Sequence, residues 1–254
     1  MTDLAGRTVL LTGASKGIGA AAARALGAAG AHLIAHYNSD ADGACAATDE
    51  LPDDRRLLLQ ADLSQPSAAR DLWQRAVAWR GTVDVLVNNA AVLTESALTA
   101  TDDEWDKVWA DTYATNVAGP MALTREAVQH FRARGAGVLI TMSSWAAQRG
   151  SGNPHLLAYA ASKAALKAAT QTIARAHAAD GVLAYVIAPG MVRTQMSVDA
   201  AAQSGGEAGT SATLAMGEWV PPEEIGELIV YLAGGTRRHL SGATFDVNGA
   251  SYIR

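Results

Sequence analysis

Tyr159 and Lys163 stand four residues apart in a strongly helical stretch, so their side chains share one helix face. A free phenol has a pKa of about 10 and keeps its proton at neutral pH. An ammonium group beside it stabilises the phenolate, and such a pair can act as a general acid/base. Ser144 follows a β-like run, Gly137–Met142, and its hydroxyl can hydrogen-bond a carbonyl or alkoxide oxygen as charge develops there. A third feature is Thr12-Gly13-Ala14-Ser15-Lys16-Gly17-Ile18-Gly19. Its glycines let the backbone turn tightly and approach a ligand. A helix starting there aims its free N–H groups and positive dipole end at an anion, which suits a pyrophosphate. The spacing is G-x-x-x-G-x-G, not the G-x-G-x-x-G of the standard dinucleotide fingerprint. Singly, these features also read as a surface pair, a serine cap and a plain tight turn.

The elements that must position them alternate. Strands are expected at 7–11, 31–37, 55–60, 83–88, Gly137–Met142, 182–188 and 243–247. Helices are expected at 18–30, 40–51, Pro66–Arg80, 155–180 and 221–233. The 102–134 stretch reads as one long helix or as two meeting near Gly119-Pro120. This alternation predicts an α/β fold, a doubly wound parallel sheet with helices on both faces. No internal repeat or linker breaks it, so one domain spanning 1–254 is expected. Ligands in such sheets bind beyond the carboxyl ends of the strands. The 194–217 segment follows one of those ends, lacks periodicity, and holds Gly205, Gly206 and Gly209 with little charge. It reads as a substrate lid.

Composition narrows the class. Of 254 residues, 49% are hydrophobic, 18% charged and 6% aromatic, which is too apolar for a disordered chain. Ala, Leu, Val and Ile must therefore fill the core. Twenty Lys and Arg against 25 Asp and Glu leave a net charge of −5, the wrong sign for a basic nucleic-acid footprint. Cys45 stands alone, so no disulfide scaffold is available. The start, Met1-Thr2-Asp3-Leu4-Ala5, has no apolar signal core, and no apolar run reaches the roughly 18 residues of a membrane span. His155 and His177 lack a partner at metal-ligand spacing, so no metal is expected. A soluble, cytoplasmic globular protein remains.

The motifs occur in a telling order: Thr12-Gly13-x-x-x-Gly17-x-Gly19, Asn88-Asn89-Ala90, Asn116, Ser144, Tyr159-x-x-x-Lys163 and Pro189-Gly190. In this the chain resembles the short-chain dehydrogenase/reductase family, classical subgroup, over essentially its whole length. It is similar above all to the 3-oxoacyl-carrier-protein reductase-like members. The resemblance implies a Rossmann-like fold and hydride transfer between a nicotinamide coenzyme and a carbonyl or secondary alcohol. It implies that Tyr159 gives or takes the substrate proton. Lys163 would bond the nicotinamide ribose and depress the tyrosine pKa, Ser144 would orient the carbonyl, and Asn116 would hold a water in a proton relay. Asp62 and Leu63 would contact the adenine, and Asn89 and Ala90 would line the coenzyme floor. Pro189, Gly190, Val192 and Thr194 would flank the carboxamide. A homotetramer, or a dimer, is also implied, and Ala-rich faces on 102–134 and 155–180 would let subunits approach closely.

Coenzyme choice follows from the second strand. NAD selectivity usually needs an acid at that strand's end, and Tyr37 stands there instead. Lys16 offers a charge to a 2′-phosphate, with Ser15, Asn38 and Ser39 as neutral donors. NADP(H) is therefore favoured, with NAD(H) remaining possible if Asp40 turns back to the ribose. His36, at the same strand end, lies near the coenzyme. Three departures from the family pattern stand out. Ala91 replaces the usual glycine, adding one methyl on the coenzyme side. The 105–116 span is longer by about one helical turn, which preserves the faces. The 145–158 loop is about two residues longer, and it borders the substrate. Trp145 either walls the substrate pocket or packs beneath this loop, while Trp105 and Trp109 read as packing residues. The expected substrate is a 3-oxoacyl thioester or similar small ketone. The alternatives are oxidation of a sugar, polyol or steroid alcohol, or, more remotely, a non-catalytic nicotinamide sensor.

Overall fold

The structure, a computed structural model, describes residues 2–202 and 205–254. Its strands are β1 (Thr8–Leu11), β2 (His32–Tyr37), β3 (Arg56–Gln60), β4 (Val85–Asn88), β5 (Gly137–Met142), β6 (Val182–Pro189) and β7 (Thr244–Val247). All pair in parallel, in the order β3-β2-β1-β4-β5-β6-β7. The chain starts at the centre, winds out to β3 and returns to lay β4 beside β1. The strand order therefore reverses between β1 and β4, where such sheets leave a crevice.

The helices are α1 (Gly17–Ala28), α2 (Ala41–Ala46), α3 (Pro66–Arg80), α4 (Asp102–Tyr113), α5 (Gly119–Arg134), α6 (Ala146–Arg149), α7 (Leu157–His177), α8 (Gln195–Ala202), α9 (Gly206–Ser211) and α10 (Pro222–Ala233). Successive strand residues point to opposite faces, and here helices cover both. Val9 and Leu11 of β1 join one apolar layer with Leu26 of α1 and Ile225 and Ile229 of α10. Leu10, between them, joins the other with Leu72 and Trp73 of α3 and Leu123 and Phe131 of α5. The doubly wound sheet that the alternation predicts is the one observed.

Local differences have identifiable causes. The 102–134 stretch is two helices, and they do meet at Gly119-Pro120. The joint is a π turn, Ala114–Ala118, so the chain stays helical through it. Pro120 has no N–H to give and sits where the regular ladder is already interrupted. The 40–51 helix stops at Ala46, where Thr48 Oγ donates back to the Ala44 carbonyl at 2.9 Å. α7 starts at Leu157, after one 3-10 turn at Pro154–Leu156. The aperiodic 194–217 segment holds two short helices, α8 and α9. Residues 203–204 of that expected lid lie outside the described residues. Among the described residues no helix is long and apolar enough to cross a membrane.

Candidate active site

Strand ends and helix starts converge on a cleft of about 450 Å³. The β1–α1 turn contributes Gly13, Ser15, Lys16, Gly17, Ile18 and Gly19, and the end of β2 contributes Tyr37, Asn38 and Ser39. Asp62 and Leu63 follow β3, and Asn89 and Ala90 follow β4. Ser144 follows β5, and Pro189, Gly190, Val192 and Thr194 end and follow β6. Tyr159 and Lys163 reach in from α7. Of the catalytic and coenzyme residues selected from sequence, Asn116 is the one outside the cleft lining.

The glycine turn is tight because nothing larger fits. Gly13 adopts φ +69° with Ala90 against it, and a Cβ there would stand 2.9 Å from the Ala90 Cα. A Cβ on Gly19 would stand 1.9 Å from the Gly13 carbonyl oxygen. Thr12 Oγ accepts the N–H groups of Asn89 and Ala90 at 2.9 and 3.0 Å. The Asn89 amide in turn donates to the Thr12 and Gly13 carbonyls at 2.9 and 3.1 Å. β1 and β4 are thus stitched together at the crevice. Lys16 sits at the N-cap of α1 and no side chain caps that helix, so its first-turn N–H groups remain for an anion. Beside it, Ser15 Oγ donates to the Asp40 carbonyl at 2.6 Å. The Asp40 carboxylate accepts the Gly43 N–H at 2.8 Å, capping α2.

At the other end Ser144, Tyr159 and Lys163 come together. Lys163 is buried, and its Nζ donates to the Met142 carbonyl at 3.0 Å. Burial brings its pKa down to about 8. Its Nζ lies 5.7 Å from the centre of the Tyr159 ring. Burial pushes the Tyr159 phenol above its ordinary pKa, and the neighbouring Ser144 hydroxyl pulls it partly back. A protonated phenol beside a hydroxyl can donate to an oxygen that gains charge.

Asn116 sits in the π turn, fully buried. Its amide donates to the Val92 carbonyl at 2.9 Å and to Ser162 Oγ at 3.1 Å, and its oxygen accepts the Val92 N–H at 2.8 Å. Ser162 Oγ donates to the Tyr159 carbonyl at 2.7 Å. The side chain therefore ties the segment after β4 to α7. One Oδ1 lone pair is what the side chain has left for a water. Trp145 lies against Gly190, where a Cβ would meet its Cε3 at 3.2 Å, and the Arg149 guanidinium covers its ring at 4.2 Å. It packs beneath the 145–158 loop and does not line the cleft.

Sequence reasoning passed over several lining residues: Val92, Thr115, Met142, Ser143, Gln195, Met196 and Ser197. Most flank a selected residue by one or two positions, so following each strand end a little further would have found them. Ser143 Oγ donates to the Lys163 carbonyl at 2.9 Å, which gives the neighbouring serine a supporting contact and leaves Ser144 facing Tyr159. Among the described residues, no group of three or more His, Cys, Asp or Glu side chains is placed to hold a metal.

A family model described as short chain dehydrogenase matches residues 7–205. The chain belongs to the short-chain dehydrogenase family. It is 34% identical to 3beta-hydroxysteroid dehydrogenase 1 of Eggerthella lenta, over 97% of this chain and 94% of that protein. It is 32% identical to the 3-oxoacyl-[acyl-carrier-protein] reductase FabG of Escherichia coli, over 98% of each. A crystal structure of a 3-oxoacyl (acyl-carrier-protein) reductase from Agrobacterium tumefaciens C58 with NADP bound superposes with a TM-score of 0.87. Its identity is 32%, covering 98% of this chain and 95% of that one. Within its family the chain stands close to the FabG-like reductases. It is an NAD(P)-dependent oxidoreductase acting on carbonyl or alcohol groups.

Proposed function

We propose that this short-chain dehydrogenase is an NADP(H)-dependent carbonyl reductase, most at home with a 3-oxoacyl thioester or a similar small ketone. The observation that carries the reading is the convergence of Ser144, Tyr159 and Lys163 at one end of a cleft whose other end is a glycine turn at an uncapped helix start. The residues present fit a nicotinamide dinucleotide. The turn leaves a cradle that a Cβ at Gly13 or Gly19 would fill. When bound, the coenzyme supplies or takes the hydride, and the protein supplies orientation and the proton.

In this reading Ser144 holds the carbonyl oxygen and Tyr159 donates the proton to it. Lys163 holds the coenzyme ribose and keeps a positive charge near the reacting oxygen. Asn116 fixes the backbone behind Tyr159 and holds a relay water with the remaining lone pair of its side-chain oxygen. Asp62 and Leu63 take the adenine, and Asn89 and Ala90 form the floor. Pro189, Gly190, Val192 and Thr194 flank the carboxamide. NADP(H) is preferred because Lys16, Ser15, Asn38 and Ser39 ring the mouth near Tyr37, and the acid that follows this strand end, Asp40, is engaged as a helix cap. NADP bound to the Agrobacterium tumefaciens reductase supports that choice.

The 194–217 segment is the substrate lid of a single cytoplasmic domain, assembled as a homotetramer or dimer. Ala91, Val92, Val192 and Met196 are apolar members of the cleft lining, which favours a ketone on an alkyl or ring carbon over a polyol. A second reading, oxidation of a hydroxysteroid, is supported by the same lining and by the Eggerthella lenta relative. The test is coenzyme depletion with NADPH and NADH across ketones, 3-oxoacyl thioesters, sugars, steroids and quinones. NADPH consumption with thioesters or simple ketones is expected. Turnover confined to sugars would overturn the substrate class, and NADH bound as tightly as NADPH would overturn the coenzyme assignment.

A further inference from the structure

His36 occupies the carboxyl end of β2, is 1% exposed, and borders the coenzyme end of the cleft. Its Nδ1 accepts the Gly13 N–H at 3.1 Å, and its Nε2 faces the Ala61 carbonyl at 3.0 Å. Its own carbonyl accepts the next N–H of the turn, from Ala14, at 2.9 Å. The partners fix the tautomer. Gly13 can only donate and the Ala61 carbonyl can only accept, so the ring must be neutral with its proton on Nε2. One imidazole thus bridges the glycine turn and the chain leaving β3. From the opposite side, the Asn89 amide holds the Gly13 carbonyl. Both polar backbone groups of Gly13 are therefore held by side chains.

We propose that His36 is the positioning residue of the phosphate turn: its neutral ring holds Gly13 in the conformation that binds the coenzyme, setting coenzyme affinity and not the hydride-transfer step. This rests on the reading of the cleft as the coenzyme site. Protonating Nδ1 would set N–H against N–H and bury a charge, so the clamp exists only while the ring is neutral. Burial already holds the imidazole below its ordinary pKa, with the Ala61 carbonyl drawing it partly back. Lys16 on the turn, Tyr37 on the same strand, Asp62 beyond β3 and Asp40 before α2 share this mouth, and neither ring nitrogen bonds to any of them. β4 presents only the neutral Asn89.

The experiment titrates NADPH into the wild-type protein, His36→Ala and His36→Asn, with steady-state kinetics alongside. Asparagine offers one acceptor and one donor and does not ionise. His36→Ala should weaken NADPH binding by about tenfold or more, the effect of an orphaned buried N–H, with kcat falling far less than Kd rises. His36→Asn should restore most of the affinity. As pH falls below about 6.5, toward the lowered pKa of the buried ring, the wild-type Kd should climb relative to that of His36→Asn. Taking the ratio cancels the coenzyme phosphate's own ionisation near about 6. Unchanged affinity in His36→Ala, or a ratio flat with pH, overturns the proposal. If His36→Ala does not fold, the pH-dependent ratio decides. A wild-type protein that binds neither NADPH nor NADH overturns the reading of the cleft itself, a different result from a wild type that binds and a variant that binds equally.

Discussion

Around Gly13, Asn89 and Thr12, backbone groups find partners inside the protein, on the ends of adjacent strands. The segments bordering the catalytic end, 145–158 and 194–217, are attached by sparser contacts nearer the surface. Asn153 donates to Glu95 at 2.7 Å, the Ala215 N–H to Ser251 Oγ at 3.1 Å, and Arg193 pairs with Glu207. The difference separates two kinds of constraint. The coenzyme end is fixed by the sheet itself, so changes there disturb fold and binding together. The substrate end is carried by loops and short helices that meet the sheet at its margin, through the Trp145 N–H on the Pro189 carbonyl and Gln148 on Asp246, so it can vary at less cost to the sheet. Ser144, Tyr159 and Lys163 stand where the two ends meet.

The largest effect should come from that junction. Tyr159→Phe removes the proton donor and leaves the coenzyme end intact. Reduction should slow by about 10²- to 10⁴-fold, while NADPH affinity by titration stays within about threefold. Rate and affinity lost together would mean that the two ends are not separable.

Next come two glycines that differ only in which end they serve. Gly19→Ala puts a methyl 1.9 Å from a backbone oxygen that has no room to move. It should cost about 1–3 kcal/mol in urea unfolding and abolish measurable coenzyme binding. Gly152→Ala, in the 145–158 loop, meets nothing within 4 Å. It should be neutral or slightly stabilising, by up to about 1 kcal/mol, because alanine restricts the unfolded chain. Equal costs at the two positions would erase the contrast.

The same contrast governs what could be read from residue types alone. The glycine turn was legible because steric necessity writes itself as glycine, and Tyr159 and Lys163 because helical spacing puts i and i+4 together. Both faces of the sheet are covered, so strand positions read as apolar runs. The π turn at Ala114–Ala118 was not legible, since one widened turn barely alters the apolar pattern. α8 and α9 were missed because helices of eight and six residues, rich in Ala, Ser and Gly, show no sustained apolar face. His36 carries no spacing signal, because one histidine on an apolar strand looks like any core residue. The raised phenol pKa at Tyr159 depends on burial, which spacing does not report.

Acidity offers a third, intermediate effect. Lys163 titrates at about 8, so its ammonium is mostly present at pH 7 and is lost as pH rises through that value. Tyr159 is shifted upward, so its phenol stays protonated across the same range. The reductive kcat/KM should therefore fall above pH about 8, approaching tenfold per pH unit. A decline that begins only above pH about 10 would assign the loss to the phenol instead.

The smallest effect belongs to the lid. Arg193, just beyond β6, pairs with Glu207 of α9. Both side chains are well exposed, at 57% and 41%, so water and salt screen the pair and its worth is at most about 1 kcal/mol. Glu207→Gln should lower Tm by no more than about 3 °C. Its consequence lies in position: the pair tethers α9 to the strand end that carries Val192 and Thr194. Substrate KM should rise by about two- to fivefold in the variant, and moderate salt should bring the wild type toward the same value. NADPH affinity should move far less than substrate KM, because nothing in the glycine turn or the β2 end touches this pair. A coenzyme Kd that shifts in step with substrate KM would show that the loosely held end steers the rigid one.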